Sequence, residues 1–356
     1  MALDFQVRTT GELKPEELVA LARLFEVVFG KPCPEDLFQR KFGRSCLGRS
    51  VHSLMFLDGE LIGAFSAIPV RYKFFGRTVL FAITADLMID KRHRGPLSRV
   101  QRLAEGMYEA LAREGVAFVF CCLRHQVFGL HQAVSMWRAI GKVHYYAAPF
   151  RLPFLGPASG LARAGVRIWN WRLSLEPAAG RASSAGLAES QSVGTIARPT
   201  TAGGAVFEER AQAYAFEIEK VNDAEFAAWR YGIFPTKYET VALPGDGRAI
   251  YATELYYPVA GLPPGIRAGV LIDVFPLIKA NFDAAVTAIR QLEPELNVLA
   301  YQGVLPFEAR DMIRIPAKYE RQPWTLAGRI LDPDKVDERI FDLRHWNINL
   351  SNGDLV

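Results

Sequence analysis

The stretch TADLMIDKRHRGPLSRVQRLAEGMYEAL, residues 84–111, is the part of the sequence that decides the fold. Its apolar run ends in the basic residues KRHR (91–94), turns at Gly95 and Pro96, and continues with apolar residues at helical spacing. This order predicts a strand, a basic turn and a helix from about residue 97 to 114. The N-terminus of a helix presents backbone N–H groups and the positive end of the helix dipole, so the turn is a candidate anion site.

Side chains in and after this turn would strengthen such a site. Gly95 permits a close approach of the backbone, and Ser98 can donate a hydrogen bond from the first helical turn. Arg92, Arg94 and Arg99 add positive charge. Taken alone, the turn fits a solvated basic surface without a ligand equally well, so the order of the surrounding elements has to decide.

The composition is that of a globular protein with a packed core. Half of the 356 residues are hydrophobic, and the net charge of +4 is too small to indicate DNA as a partner. No apolar run reaches ~18 residues, which a spanning helix needs, and the first residues lack the pattern of a signal peptide. We therefore expect a soluble cytoplasmic protein with reduced cysteines. Neither paired cysteine ligands nor an H-E-x-x-H motif occurs, so no metal is expected.

The first 150 residues predict the element order β-α-α-β-β-β-α-β-α-β. Asp58-Gly59 marks a hairpin turn between two strands. The segment VAFVFCCL (116–123) predicts a buried strand, and HQVFGLHQAVSMWRAIG (125–141) predicts the helix that follows it. A strand, a basic glycine turn, a long helix, a buried strand and a further helix therefore follow one another in a single domain.

The rest of the chain divides into a connector and a second unit. Residues 151–205 contain an arginine- and tryptophan-bearing segment followed by an Ala/Gly/Ser-rich linker. We expect residues 161–175 within it to pack on a domain; the alternative is a peripheral contact with a membrane surface. Residues 206–356 repeat the strand and helix order of residues 1–150. We expect two tandem α/β domains, each with a mixed β-sheet flanked by helices.

The pieces GAFSAIPVRYKFFG (63–76), ADLMIDKRHRG (85–95) and LAREGVAFVFCC (111–122) resemble the Gcn5-related N-acetyltransferase (GNAT) superfamily. In that family, the turn after the fourth strand holds the pyrophosphate of acetyl-CoA or another acyl-CoA. The resemblance implies an acyl-CoA site at the set Leu87, Met88, Ile89, Arg92, Arg94, Gly95, Ser98 and Arg99. Leu97 and Arg99 stand where the family pattern has small residues, so binding would depend more on arginine side chains than on bare backbone.

The second half resembles the C-terminal part of double-GNAT proteins of the bacterial cell-envelope and exopolysaccharide type. The matching pieces are FAAWRYGIFPTKYE (226–239), GVLIDVFPL (269–277) and FDLRHWNINLSNGDLV (341–356). No basic glycine turn precedes the second-half helix, so the resemblance implies a single coenzyme site in the first half.

Acyl transfer to an amine requires a group that accepts a proton from the amine and a group that protonates the leaving thiolate. Asp86 interrupts the apolar strand before the basic turn, where burial would make its carboxylate a better base; a purely structural Asp is the alternative. The tyrosine that often serves as the family's acid is replaced by Trp137. Tyr145, His125 and His131 are the other catalytic candidates, although a lone histidine is more often structural.

Two polar-aromatic clusters are candidates for binding the acceptor. Trp229 and Tyr238 lie at the start of the second half, and His345 and Trp346 lie in a predicted terminal strand. Aromatic rings with hydrogen-bonding neighbours suit a sugar or a nucleotide, and they suit a domain interface equally well.

The function that these expectations favour is N-acylation of an amine by an acyl-CoA, with the amino sugar of a surface polysaccharide as acceptor by family analogy. Two alternatives stay open at the level of sequence. One is a non-catalytic nucleotide-binding regulatory module, which the departures in the turn would suit. The other is an aminoacyl-tRNA-dependent transferase with a similar double fold.

Overall fold

The hairpins and helix ends form where turn chemistry directs them. The computed structural model describes residues 2–33, 35–151, 216–232, 236–254, 265–316, 320 and 324–353. Asp58 and Gly59 both have positive φ angles, as a two-residue hairpin between antiparallel strands requires. The first long helix runs from Pro15 to Phe29, and Gly30 at its C-cap adopts the left-handed conformation.

Thirteen strands are present among the described residues. They are β1 (Leu3–Thr9), β2 (Val51–Leu57), β3 (Glu60–Phe74), β4 (Arg77–Ile89), β5 (Val116–Arg124), β6 (Arg138–Pro149), β7 (Ile218–Lys220), β8 (Glu239–Leu243), β9 (Gly247–Ala252), β10 (Ala268–Phe275), β11 (Val298–Gly303), β12 (Ile313–Arg314) and β13 (Trp324–Ile330). The α-helices are α1 (Pro15–Phe29), α2 (Glu35–Phe38), α3 (Leu97–Arg113), α4 (His125–Ser135), α5 (Ala224–Gly232) and α6 (Lys279–Leu292).

Helix α4 is shorter than the sequence predicted. It ends at Ser135 instead of continuing to residue 141, and Met136 takes a left-handed conformation with φ 53°. Trp137 then turns into the core, where its Nε1 donates a hydrogen bond to the Tyr108 hydroxyl at 2.8 Å. The predicted helical periodicity of residues 138–141 is wrong because these residues pair with β13 instead.

The strands form one mixed sheet in the order β1-β2-β3-β4-β5-β13-β6-β11-β10-β9-β8, with β7 on β3 and β12 on β6. Parallel pairing joins β4 to β5 and β10 to β11, and the other named pairs are antiparallel. The expected mixed α/β architecture with flanking helices is confirmed. The strands of the two halves were expected in two sheets and instead form a continuous path.

Strand β13 connects the halves of the chain. It comes from the C-terminal part of the sequence and lies between β5 and β6 of the N-terminal part, antiparallel to both. Strand β6 continues past it and pairs with β11 through residues 144–149. The division of the chain at residues 1–150, 151–205 and 206–356 stays a prediction, and β13 is an element that crosses it.

Three hydrophobic cores cover the sheet. One lies between the sheet and α3 and contains Leu103 and Met107. A second lies against α6 and contains Phe282 and Ile289. The third, which we call the shared core, combines side chains of α1, α5, both halves of the sheet and the C-terminal segment around Trp346. The halves are therefore held together by apolar burial as well as by strand pairing.

A buried polar seam runs along the shared core. Asp273 of β10 accepts a hydrogen bond from Asn349 at 2.7 Å and from Tyr231 at 2.9 Å, and its carboxylate lies 3.0 Å from Lys220 Nζ. Next to it, Asn347 donates to Glu219, and Asn352 donates to the Tyr72 hydroxyl. These bonds fix the last described turns of the chain against both halves of the sheet.

The predicted connector lies almost wholly outside the described residues, as does the candidate membrane-surface segment 161–175. In the ranges that are described, no helix combines the length and the apolar character that crossing a membrane requires.

Replacing Gly328 tests whether the close packing of β13 against β5 stabilises the fold. A Cβ at this position would collide with the Val119 carbonyl oxygen and the Phe118 ring, which lie on β5. We expect Gly328→Ala to lower the free energy of unfolding by about 1–3 kcal/mol, the usual cost of overpacking. Urea denaturation measures the loss. Gly129→Ala is the control, since nothing lies within 4 Å of a Cβ there; equal stability of both variants would contradict this packing.

Titration of Glu219 makes the stability of the fold around the buried polar seam depend on pH. Burial, opposed by the Lys220 charge, raises the pKa of Glu219 from 4.5 to about 7. Between these pH values the unfolded chain loses this proton while the folded chain keeps it, so the free energy of unfolding falls as the pH rises, by at most about 3 kcal/mol. Glu219→Gln should therefore gain stability relative to the wild type between pH 4.5 and 7.

Urea denaturation at several pH values measures this difference. Glu225→Gln is the control, because Glu225 is an exposed neighbour that forms an ion pair with Arg71. A constant difference between Glu219→Gln and the wild type across this range would show that burial of Glu219 does not control its titration.

Candidate active site

Strands β4 and β5 separate at one end of the sheet. Their parallel pairing ends at Ile83 and Phe120, although β4 continues to Ile89 and β5 to Arg124. On their outer sides both remain paired, β4 with β3 and β5 with β13. The inner edges of the two strands beyond Ile83 and Phe120 are therefore not paired with each other. We call the gap between these two edges the cleft, because backbone N–H and C=O groups there can bind a ligand in place of a strand partner.

A β-bulge reshapes β4 inside this cleft. Ala85 lies opposite Ser66 while Met88 lies opposite Ala64, so Asp86 and Leu87 are both accommodated opposite Phe65. Asp86 takes a positive φ of 48°. A left-handed conformation is strained for a residue other than glycine, and such strain is concentrated at functional sites.

The Asp86 side chain is almost fully buried, and it has a cationic partner. Its Oδ2 lies 2.8 Å from Lys41 Nζ, and the two side chains are 7% and 2% exposed. Lys41 belongs to a short π-helical segment, Gln39–Gly43, next to α2. An ammonium group at this distance favours the ionised form of a carboxyl group.

The basic turn lies at the same end of the sheet, between β4 and α3. Asp90 accepts from the Arg92 backbone N–H at 2.9 Å and from the Arg92 guanidinium at 2.7 Å. These hydrogen bonds lower the pKa of Asp90 to about 2. Arg99 donates to the His93 carbonyl oxygen at 2.7 Å. Two of the predicted phosphate-binding arginines therefore also shape the turn itself.

The remaining features of the turn fit an anion. Helix α3 begins at Leu97, and Pro96 at the N-cap provides no side-chain cap for the first amides. Arg94, Gly95 and Ser98 are exposed at this helix end. A Cβ on Gly95 would lie 2.7 Å from the Arg99 guanidinium carbon, so glycine lets that side chain close over the turn. The N–H groups, the positive helix end and Arg94 together suit a diphosphate.

Tyr145 lies on the same sheet face as Asp86. Side chains alternate along β6, so Tyr145 shares a face with Val143, which is part of the shared core that also contains residues of α1. Burial, followed by the negative charge of Glu320, raises the pKa of Tyr145 to about 12. Three strand spacings separate β6 from β4, or about 14 Å between backbones.

Of the two candidate histidines, His131 lies on the opposite face of the sheet. His131 is 1% exposed and packs between Trp137 and Phe65, with ring centroids at 4.6 and 5.5 Å, in the core on the α3 side of the sheet. Burial lowers its pKa to about 4, so it is neutral at physiological pH. His125 is the first residue of α4, and its side chain is not among those that the structure describes.

Two of the predicted acceptor-binding residues lie in the interior. Trp229 is 3% exposed, and its Nε1 donates to the Lys41 carbonyl oxygen at 3.0 Å, so it supports the segment behind Asp86. Tyr238 is 4% exposed, and its hydroxyl accepts from Arg230 at 3.2 Å. Both belong to the shared core, as a domain interface would require.

Of the other two, His345 lies far from the cleft, and Trp346 lies in the core beside Phe120, where the β4–β5 pairing ends. His345 packs on Phe75 at the tip of the β3–β4 hairpin, with ring centroids 5.0 Å apart. Asp86 follows Arg77 by nine positions along β4, a span of about 30 Å. Trp346 is fully buried among the rings of Phe81, Phe118 and Phe120. The predicted terminal strand is instead a series of 3-10 turns at 338–341, 343–345 and 350–352.

Three residues that the sequence did not reveal lie near the cleft face. Lys41 binds Asp86. Trp324 of β13 lies opposite Val143 of β6, and its buried Nε1 has no hydrogen-bond partner among the described residues. The Glu320 Oε1 lies 3.8 Å from His144 Nδ1 on β6, and its charge also acts on Tyr145. No short-range motif marks these residues, because each reaches the site from a distant part of the chain. Within the described ranges, no group of three or more His, Cys, Asp or Glu side chains could hold a metal ion.

Comparison with known proteins assigns the fold. No family model and no curated protein matches this sequence. A GCN5-related N-acetyltransferase from Anabaena variabilis ATCC 29413 matches with a TM-score of 0.57 and 11% identity, over 92% of this chain and 73% of that one. One from Kribbella flavida matches with a TM-score of 0.53 and 14% identity, over 91% and 71%.

Eis1 from Mycobacterium abscessus matches with a TM-score of 0.52 and 15% identity, over 94% of this chain and 75% of that one. These three solved structures share the mixed sheet and its flanking helices over nearly the whole chain. The protein therefore has the fold of the GCN5-related N-acetyltransferases.

Proposed function

We propose that this protein is an N-acyltransferase that moves an acyl group from an acyl-CoA to an amine. The observation that carries the proposal is the separation of β4 and β5 beyond Ile83 and Phe120, with the basic turn and the α3 N-terminus at the same end. A long donor with a diphosphate at one end can place that group on the turn and extend along the open strand edges. The similarity in fold to N-acetyltransferases supports this assignment.

The residues present fit such a donor. The backbone of Leu87, Met88 and Ile89 lies along the cleft edge of β4. The uncapped amides of α3, with Ser98 and Arg94, provide hydrogen bonds and charge for a diphosphate. We assign Arg92 and Arg99 a supporting role, because their guanidinium groups bind Asp90 and the His93 carbonyl oxygen. An acyl-CoA would supply the acyl group as a thioester.

Asp86 and Tyr145 are the proposed catalytic side chains. Asp86, kept ionised by Lys41, accepts a proton from the ammonium form of the acceptor, and the freed nitrogen lone pair then bonds to the acyl carbon. The carbon–sulfur bond breaks, and the second nitrogen proton goes to the departing thiolate. Tyr145 is protonated at neutral pH because its pKa is about 12, so its hydroxyl can hydrogen-bond that thiolate.

For the acceptor we propose a cationic amine that also carries hydroxyl groups, such as an amino sugar of a surface polysaccharide. Near the cleft face lie two aromatic rings, those of Trp324 and Tyr145, and the Glu320 carboxylate that acts on Tyr145. Aromatic rings with a carboxylate suit a sugar ring that carries an ammonium group. The second half, residues 206–356, is then a GNAT-like unit that supports the first and has no coenzyme site of its own.

Arginine 94 tests the anion site. A charge-assisted contact contributes roughly 1.5–3 kcal/mol, so Arg94→Ala should weaken acetyl-CoA binding ~10-fold or more. Isothermal titration calorimetry measures the dissociation constant. Arg113→Ala is the control, because Arg113 lies at the opposite end of the same helix. If wild-type protein binds no acetyl-CoA at millimolar concentration, the proposed donor is wrong.

Aspartate 86 tests the chemistry. Asp86→Asn should leave acetyl-CoA binding unchanged and lower kcat ~100-fold or more, because the amide cannot accept the proton. Acetyl transfer to a panel of amino sugars and other amines measures kcat, and calorimetry measures donor binding. Full activity of Asp86→Asn between pH 6 and 9 would remove Asp86 from the mechanism.

A further inference from the structure

The ion pair between Lys41 and Asp86 is buried, so forming it costs desolvation free energy. Both side chains are almost fully buried, and their charged atoms lie 2.8 Å apart. Removing two charges from water costs several kcal/mol per ion, and apolar side chains of similar volume often stabilise such a position as well or better. Stability alone is therefore a poor reason for this pair.

The backbone on both sides of the pair is irregular. Asp86 has a positive φ in the β4 bulge, and Lys41 lies in a π-helical segment. Single π-turns and strained residues are concentrated at functional sites. The Lys41 carbonyl oxygen accepts the Trp229 indole N–H, so the second half of the chain fixes the position of the segment. Three separate elements thus converge to place one ammonium group on one carboxylate.

The charges of Lys41 and Asp86 act on the neighbouring titratable groups. Burial and the Asp86 charge raise the pKa of Cys33, and the Lys41 charge opposes this; the pKa is about 12. Glu26 of α1 and Asp36 of α2 add weaker negative charge at Cys33. On β2, burial and the Lys41 charge lower the pKa of His52 to about 3. Cys33 and His52 therefore stay neutral between pH 5 and 9, and neither changes the field at Asp86 in that range.

We propose that Lys41 is a positioning residue that holds the Asp86 carboxylate ionised and fixed in the cleft, ready to accept the proton of a cationic amine. This inference rests on the acyl transfer proposed above. Lys41 keeps its own proton throughout and touches neither donor nor acceptor. Its contribution is the electrostatic field and the hydrogen bond at Asp86 Oδ2.

The test is the pH dependence of kcat/KM for acyl transfer between pH 5 and 9. An opposite charge at this distance favours the ionised carboxylate by roughly 1–3 pH units. Lys41→Met should therefore shift the acid limb of the profile upward by about one unit or more, and on that limb it should lower kcat/KM ~10-fold for each unit of the shift. The KM for the acyl-CoA should not change, and Lys41→Arg should restore most of the activity.

Arg40→Met is the matched control. Arg40 is the adjacent residue on the same segment, carries the same charge, and pairs with Asp36 at the surface. This variant should keep the wild-type profile. A folded Lys41→Met protein with an unshifted acid limb overturns the proposed role, and so does an equal shift in Arg40→Met.

If the Lys41→Met protein does not fold, a double variant is measured in its place. Lys41→Met with Asp86→Asn removes both buried charges, which folding tolerates better than a single unpaired charge. Activity equal to that of Asp86→Asn alone supports the proposal, because the two residues then act as a unit. A further ~10-fold loss in the double variant overturns it.

The same measurements separate this inference from the proposed function. Wild-type protein that acylates no amine overturns the function and the role of Lys41 with it. Wild-type protein that acylates an amine, with Lys41→Met showing an unshifted profile, overturns the role of Lys41 alone.

Discussion

The end of pairing between β4 and β5 is the constraint on which the candidate site depends. Two parallel strands that stop bonding in mid-sheet leave polar backbone groups that need another partner. Strand β5 stays paired with β13 on its other side, and β4 stays paired with β3, so both strands remain held in the sheet although their inner edges have no strand partner there among the described residues. The inner edges of β4 and β5 therefore stay open while the sheet remains intact. The basic turn and the α3 N-terminus lie at the end of the sheet where these edges separate.

This arrangement makes the site dependent on residues that come late in the chain. Strand β13 supports β5, and Trp346 fills the shared core between the rings of β4 and β5. Trp229 holds the segment that carries Lys41. These residues need not touch a substrate to matter, since the cleft keeps its shape only while the two halves of the chain stay packed together.

Charge is used in two different ways around the cleft. At the turn, Asp90 binds Arg92 and the His93 carbonyl oxygen binds Arg99, so part of the basic cluster is used to build the loop and Arg94 is left at the exposed helix end. In the interior, Lys41 and Asp86 form a pair shielded from water. The exposed charges can exchange partners with a ligand, whereas the buried pair stays in place because separating it would leave an unpaired charge in the core.

The sequence by itself determined the elements with strong local signals. The Asp58-Gly59 hairpin, helix α3 after the basic turn and the apolar strand β5 follow from turn chemistry and periodicity over a few residues. The same local reasoning failed at residues 138–141, where an apolar helical pattern became a strand because β13 offered a pairing partner.

Only the tertiary structure decided which side chains meet. Asp86 stood out in the sequence as a charge within an apolar strand, but its partner lies 45 residues earlier and carries no motif. Trp229 and Trp346 were noticed for their aromatic character, and packing placed them in the core. Local patterns record backbone preferences, whereas a site is made by contacts between distant segments, and these depend on how the whole core packs.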